Sequence, residues 1–243
     1  MLLSIVIPAY NEEGSIIETL ETLYAELMQS NVPHEIVVVN DNSKDSTESI
    51  LIELQKKIPT LVYYTNKGPN GFGYAIRYGL ERFKGDAVAV MMADLSDSPQ
   101  DLVKFYNKLL EGYDCVFGTR WGKGGSVHDY PATKKIINRV ANMIIRMFMR
   151  IHYNDTTNAF KMYRKEVIEG LKPFLSPHFN LTIELPLKAI IRGYTYTVVP
   201  NSWRNRKAGE SKLKIKEMGS RYFFILMYCW IEKQFSRGDY KRK

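Results

Sequence analysis

The stretch Asp86–Asp101, DAVAVMMADLSDSPQD, constrains this chain more than any other. Ala87 to Met92 is an unbroken apolar run, which suits a parallel strand covered on both faces. The run stops at Asp94, and Ser96, Asp97, Ser98 and Pro99 follow before a helical pattern over Gln100–Glu111. Carboxylates at the carboxyl end of a central strand stand where open α/β sheets place their ligands. Two readings are open at this point. One or two oxygens there, completed by substrate phosphates, hold a magnesium-like ion. Alternatively Ser96 or Asp97 caps the following helix.

The same unit recurs along the chain. Leu2–Ile7 reads as a strand, Pro8–Glu13 as the loop at its carboxyl end, and Ser15–Met28 as a helix with Ile16, Leu20, Leu23 and Leu27 on one face. Glu35–Val39 is a second buried strand, Asn40–Thr47 a polar loop and Thr47–Lys57 a helix; Leu61–Tyr64 is a third strand. Repeated strand, polar loop and helix argue for a mostly parallel sheet flanked by helices. Gly71-x-Gly73 then opens a helix reaching Arg82. Glycines there admit either an anion at the helix N-terminus or close packing of the turn.

In the second half, strand Asp114–Phe117 leads into a glycine-rich loop bearing Arg120 and Lys123, which either closes over phosphates or lies on the surface. Thr133–Ile151 is a long helix with Ile137, Val140, Ile144 and Phe148 on one side and Lys135, Arg139, Arg146 and Arg150 on another. Packing of that apolar side inside the protein is expected, with docking on a membrane surface as the alternative. Strand Lys161–Arg164 follows the polar patch Asn154–Phe160. Glu184 sits among apolar residues of a helix ending at Arg192, and a buried Glu needs a partner or a ligand. Strand Thr195–Pro200, a basic loop from Trp203 to Lys212 and a helix over Lys214–Glu232 complete the chain.

Charge is unevenly spread. The net +8 is carried entirely by residues 204–243, while the first 203 residues balance. A localised basic segment points to an anionic partner. No nucleic-acid recognition motif accompanies it, so phosphates of a substrate or an anionic membrane surface are favoured. Cys115 and Cys229 fit no metal spacing, which suits a reducing compartment. Leu2–Ile7 is too short for a signal peptide, and no apolar run approaches the roughly 18–20 residues that span a bilayer.

The motifs IVIPAYNEEGSI, VVNDNSKDST, NGFGYAIRYGL, MADLSDSPQDL, GTRWGKGG, NDTTNAFKMYRKEV, NLTIELPLKA and NRKAGESKLK together resemble glycosyltransferase family 2, in its dolichyl-phosphate mannose synthase-like branch. They stand in the family's order and cover nearly the whole chain. The resemblance implies a GT-A fold over residues 1–212, followed by an amphipathic basic tail, 213–243, lying in a membrane interface. It implies inverting transfer from a nucleotide diphosphate sugar, GDP-mannose or a UDP-hexose, to a polyprenyl phosphate. Pro8, Tyr10, Glu12 and Asp41 would flank the base and ribose, with Gly71, Lys123 and Glu184 as further substrate-binding candidates. Asp94, helped by Asp97 and Ser96, would hold Mg2+ or Mn2+, and Arg120, Arg206 and Lys212 would face phosphates. Asp94, Arg120 and Arg206 are then the expected catalytic groups.

A phosphate acceptor is already anionic and needs no general base, so none of His34, His128, His152 and His178 has to be catalytic. Two positions depart from the family pattern. Met92 stands where the first carboxylate of an acidic pair is expected, and Asn40 where the nucleotide loop often has Asp. Met92 puts metal affinity in question and motivates a different reading, a nucleotide-sugar-binding protein with little or no transfer. A third reading keeps fold and donor but uses a saccharide hydroxyl as acceptor. With no spanning segment read, the expected location is the cytoplasmic membrane face, reached directly or through a membrane-protein partner.

Overall fold

The computed structural model describes residues 1–205 and 215–242. In the first half, β1 (Leu3–Ala9), α1 (Ile16–Gln29), β2 (His34–Asn40), α2 (Thr47–Lys57), β3 (Leu61–Thr65), α3 (Phe72–Leu80), β4 (Ala87–Val90) and α4 (Pro99–Leu110) alternate strictly. The second half contains β5 (Cys115–Thr119), β6 (Ser126–His128), α5 (Ala132–Met149), β7 (Lys161–Arg164), α6 (Lys165–Gly170), α7 (Leu181–Ile191), β8 (Tyr196–Pro200), β9 (Ser202–Arg204) and α8 (Ile215–Phe235). The central sheet has seven strands in the order β3-β2-β1-β4-β7-β5-β8. Only β7 runs antiparallel within it, paired with β4 on one side and β5 on the other.

The continuous apolar runs arise because successive side chains point to opposite faces and both faces are covered. Leu3, Ile5 and Ile7 of β1 join α1, α2 and α4 in one core, whereas Val6 joins Val88, Val90 and Ile76 in the other. The strand expected to reach Met92 ends at Val90. Its last ladder contact is the Met91 N–H donating to the Val6 carbonyl, and Leu95 then takes a left-handed conformation that turns the chain.

α8 packs mainly on α7 and completes the second core with Ile225, Leu226 and Cys229. A buried ion pair, Arg192 Nε to Glu232 Oε1 at 2.7 Å, fastens it, and the Arg242 N–H donates to the Arg192 carbonyl. The segment set apart from the sequence as a basic tail is thus tied into the body along one side.

Gly71 and Gly73 have a packing reason. A Cβ on Gly73 would lie 2.5 Å from the Pro177 carbonyl carbon and 2.6 Å from the His178 nitrogen. The close approach admitted by these glycines is to the 176–178 backbone. Phe72 stacks on Phe179 at 4.2 Å beside that contact.

Candidate active site

The acidic loop after β4 is held from several sides. The Ser15 and Thr19 hydroxyls both donate to the Ala93 carbonyl, at 3.0 and 2.9 Å. The Ser96 N–H donates to Asp94 Oδ1, and the Met92 N–H to Asp97 Oδ2. From the far side, the Arg204 N–H of β9 donates to the Ser96 carbonyl, and Asp101 Oδ2 accepts from the Ser202 N–H and hydroxyl. Neither Ser96 nor Asp97 caps α4. Ser98 occupies that position, and no side chain bonds the helix end there. The capping alternative is therefore excluded.

Asp94, Ser96 and Asp97 instead line a cavity of about 330 Å³. Met92 and Arg120 share its wall, β9 supplies Trp203, and α5 and α8 contribute Ile137, Ala141 and Tyr222. Asp94 and Asp97 are 8% and 3% exposed. Burial, reinforced by the Asp94 carboxylate, pushes the Asp97 carboxyl up to about 7. Two carboxylates in so dry a place repel each other unless one takes up a proton or a cation joins them.

Hard oxygen donors of this kind suit Mg2+ or Mn2+. No group of three or more His, Cys, Asp or Glu side chains arranged for a metal occurs among the described residues. The donor set thus fits an ion that draws its other ligands from phosphate and water. Asp97 also bears on the Met92 question, because its carboxylate folds back onto the Met92 backbone.

Arg120 lies in the cavity wall with its charge already matched. Its Nε and Nη2 donate to Asp155 Oδ2 and Oδ1 at 2.9 and 2.7 Å, and its backbone N–H also donates to Oδ2. Burial works against the guanidinium charge, but the Asp155 carboxylate outweighs it and pushes the pKa further up. Arg120 lines the cavity while Asp155, fully buried and not in the cavity wall, pairs with it from within the protein.

Beneath the same wall, the Lys161 ammonium reaches the carbonyls of Thr156, Asn158 and Thr182. Burial lowers its pKa to about 7. Asp155 and Lys161 did not stand out in the sequence as site residues. The signal was there, as an acid inside a polar patch and a lysine opening an apolar strand.

The residues expected beside the nucleotide lie at the carboxyl ends of β1 and β2. The Asp41 N–H donates to the Ala9 carbonyl, and the Asp41 carboxylate accepts from Asn66 Nδ2 and the Gly71 N–H, each at 2.7 Å. Asp41 and Gly71 are thereby brought together. Pro8 is the next-to-last residue of β1, Tyr10 follows the strand's end at Ala9, and Glu12 lies one turn ahead of α1, its N–H donating to Thr47 Oγ1.

Two other expected residues fall elsewhere. Lys123 is exposed on the loop before β6 and does not line the cavity. Glu184 is fully buried, paired with Lys188 at 2.6 Å, and accepts from the Leu175 and Ser176 N–H groups. Its partners are internal, which answers why a carboxylate sits on that apolar helix. Arg206 and Lys212 lie outside the described residues.

A mostly parallel sheet flanked by helices, with a fixed acidic loop at the carboxyl end of its central strand β4, is the arrangement of the GT-A fold of nucleotide-diphospho-sugar transferases. The chain belongs to glycosyl transferase family 2, whose profile matches residues 4–171. It is 35% identical over 235 residues to a dolichol-phosphate mannosyltransferase of Pyrococcus furiosus, covering 93% of this chain and 64% of that protein. It thus spans just under two thirds of that relative's length. A polyprenol monophosphomannose synthase of Mycolicibacterium smegmatis is 29% identical over 215 residues, 86% of this chain and 80% of its own. A glucosyl-3-phosphoglycerate synthase from Mycobacterium tuberculosis, solved with Mn2+, UDP and phosphoglyceric acid, superposes with a TM-score of 0.71 over 94% of this chain and 78% of that one. At 18% identity that likeness is one of fold.

Proposed function

We propose that this chain transfers a glycosyl residue from a nucleotide diphosphate sugar to a polyprenyl phosphate, with inversion, at the cytoplasmic face of a membrane. The observation that carries the reading is the composition of one cavity. Its floor holds the Asp94 and Asp97 carboxylates beside Arg120, and its wall carries Ile137, Ala141, Phe179 and Tyr222. A diphosphate with its ion fits the first set and the hydrocarbon chain of a polyprenyl phosphate the second. The names of the two sequence relatives, a dolichol-phosphate mannosyltransferase and a polyprenol monophosphomannose synthase, support the acceptor class and favour mannose.

Asp94 and Asp97, with Ser96 adjacent, are the residues that would hold Mg2+ or Mn2+. When bound, such an ion neutralises charge on the departing diphosphate. The chain's own residues do the rest. Pro8, Tyr10, Glu12 and Asp41 hold the nucleoside, and Arg120, braced by Asp155, orients a phosphate, with Arg206 and Lys212 assigned to the same task. A phosphate oxygen of the acceptor bonds to the anomeric carbon as the bond from that carbon to the diphosphate oxygen breaks. The nucleotide diphosphate leaves with the electron pair. No proton has to be removed from the acceptor, so no histidine base is required.

The test incubates the intact protein with GDP-mannose, UDP-glucose and UDP-galactose in turn, each with polyprenyl phosphate, with and without Mn2+. A charged lipid carrying one sugar is expected. Transfer to a saccharide hydroxyl alone, or nucleotide binding by calorimetry without any product, overturns the reading. Asp94→Ala should abolish Mn2+-dependent turnover.

A further inference from the structure

Lys161 opens β7 and buries its side chain completely. An ammonium has three protons to donate, and this one finds three acceptors: the carbonyls of Thr156 and Thr182, at 3.0 and 3.1 Å, and that of Asn158. Asp155 commits both of its oxygens to Arg120. Among the described residues, Lys161 is held by carbonyl oxygens alone.

A trans peptide is planar, so its carbonyl and the N–H that follows point in opposite directions. The Thr156 carbonyl faces Lys161, and the Thr157 N–H at the other end of that peptide donates to Asn142 Oδ1 of α5 at 3.1 Å. Asn138 and Asn142 in turn donate to the Thr157 hydroxyl, at 2.9 and 2.8 Å. These polar bonds carry much of the attachment of α5, in which only Asn142, Ile145 and Met149 are buried. Packing of its apolar side inside the protein, expected from the sequence, does not occur, because Ile137, Val140, Ile144 and Phe148 are exposed.

The peptide between Asn158 and Ala159 has the same geometry and a different outcome. Its carbonyl is held by Lys161, which turns the Ala159 N–H the other way. The Asn158 N–H donates to the Asp155 carbonyl and the Phe160 N–H to Asn158 Oδ1. Nothing among the described residues accepts from the Ala159 N–H. Ala159 lines the cavity of about 330 Å³ together with Asp94, Asp97 and Arg120, whereas Lys161 lies behind that wall. An open backbone donor at a cavity wall suits an anion. The ammonium behind it draws on the carbonyl end of the peptide, which leaves the positive end of the dipole on the cavity side.

We propose that the Ala159 N–H donates to a phosphate oxygen bound in this cavity, and that Lys161 is the positioning residue that aims it. The phosphate belongs to the nucleotide donor or to the acceptor. Those two sources rest on the transfer reading given above, yet anion binding at one amide is measured without any turnover.

The experiment follows the amides of isotopically labelled alanine in the intact protein by NMR. The Ala159 resonance is the one missing from Ala159→Gly. Pyrophosphate with Mg2+ is the first probe, and the Ala159 amide proton should move downfield as it takes up a hydrogen bond to an anion. GDP with Mg2+ and a short, water-soluble polyprenyl phosphate, added separately, then assign the phosphate to donor or acceptor. Lys161→Met keeps the apolar stem and removes the ammonium, so the peptide is no longer pinned. The downfield shift should be lost, and the Kd of the ligand that caused it should rise about tenfold, the weight of one hydrogen bond to a charged group. Lys161→Gln keeps a donor without the charge and should fall between. A purely structural lysine would lower the thermal midpoint in these variants and leave the ligand-induced shift in place.

An Ala159 amide that stays unmoved at saturation with every one of these ligands overturns the proposal, and that measurement needs no variant. A shift of wild-type size in folded Lys161→Met overturns the positioning role. A shift that Lys161→Met abolishes, with no product from any nucleotide sugar, rejects the transfer reading and keeps the anion site. Product formation with an unmoved Ala159 does the reverse.

Discussion

Replacing Glu184 by Gln separates a structural carboxylate from a ligand-binding one. Both Glu184 and Lys188 have fully buried side chains, 2.6 Å apart on successive turns of α7. Glu184 also accepts from the Leu175 N–H at 2.8 Å and the Ser176 N–H at 2.7 Å, anchoring the strap that runs to His178. Gln keeps the size but removes the charge and turns one acceptor into a donor. One strap N–H or the Lys188 ammonium is then left facing a donor. Breaking a buried pair by changing one partner costs about 3–5 kcal/mol. Lys188 retains the Pro173 carbonyl at 2.6 Å, which places the expected cost near the lower end.

For a chain of this length each kcal/mol lowers the midpoint by about 2–4 °C, so Glu184→Gln should melt roughly 6–12 °C below the wild type. Calorimetry on the intact protein reads this directly. Changing both partners, Glu184→Leu with Lys188→Met, should recover much of the loss, since apolar replacement of a whole buried pair is often neutral. The strap would still lose its two acceptors, so recovery is partial. A midpoint within about 2 °C of the wild type, together with weakened binding of a nucleoside diphosphate, would refute the structural assignment and return Glu184 to the substrate.

Three further perturbations probe the site and its frame. The Asp97 carboxyl, pushed from 3.8 to about 7 by burial and then by Asp94, favours the folded state when protonated. Its contribution is complete below pH about 4 and is lost as pH climbs through 7, on the order of 4 kcal/mol at most at roughly 1.4 kcal/mol per pH unit. In chelator, Asp97→Asn should therefore gain stability over the wild type at pH 8 relative to pH 5 in urea unfolding, and Mn2+ at pH 8 should stabilise the wild type alone; parallel pH curves would contradict this. Asp155→Asn should cost about 3–5 kcal/mol by unpairing the buried Arg120, and Arg120→Lys should not substitute, because an ammonium cannot reproduce the two-pronged contact; thermal midpoints check both. Gly73→Ala should cost about 1–3 kcal/mol or more, since its Cβ meets backbone atoms of the strap at 2.5–2.7 Å, and an unchanged midpoint would show that the strap yields freely.

Much of this protein was legible from its residues alone. Unbroken apolar runs such as Ile5–Ile7 and Ala87–Val90 occur only where both faces of a strand are covered, so the parallel sheet and the acidic loop at its carboxyl end follow from pattern. The three-residue strands β6 and β9 were missed because so short a segment shows no period, yet β9 is what braces the acidic loop. Periodicity also tells which residues share a helix face without telling what lies against it. The apolar side of α5 was visible in the sequence, and only the fold turned it outward. Partners distant in the chain were likewise a tertiary outcome. Asp155 lies 35 residues from the Arg120 it compensates, and the strap that occupies Glu184 is set by how α7 meets the chain before it. The sequence by itself determined the sheet and the place of its ligands. The tertiary structure decided which charges are already spent inside the protein, because a charge's role depends on the groups folding brings within hydrogen-bond reach.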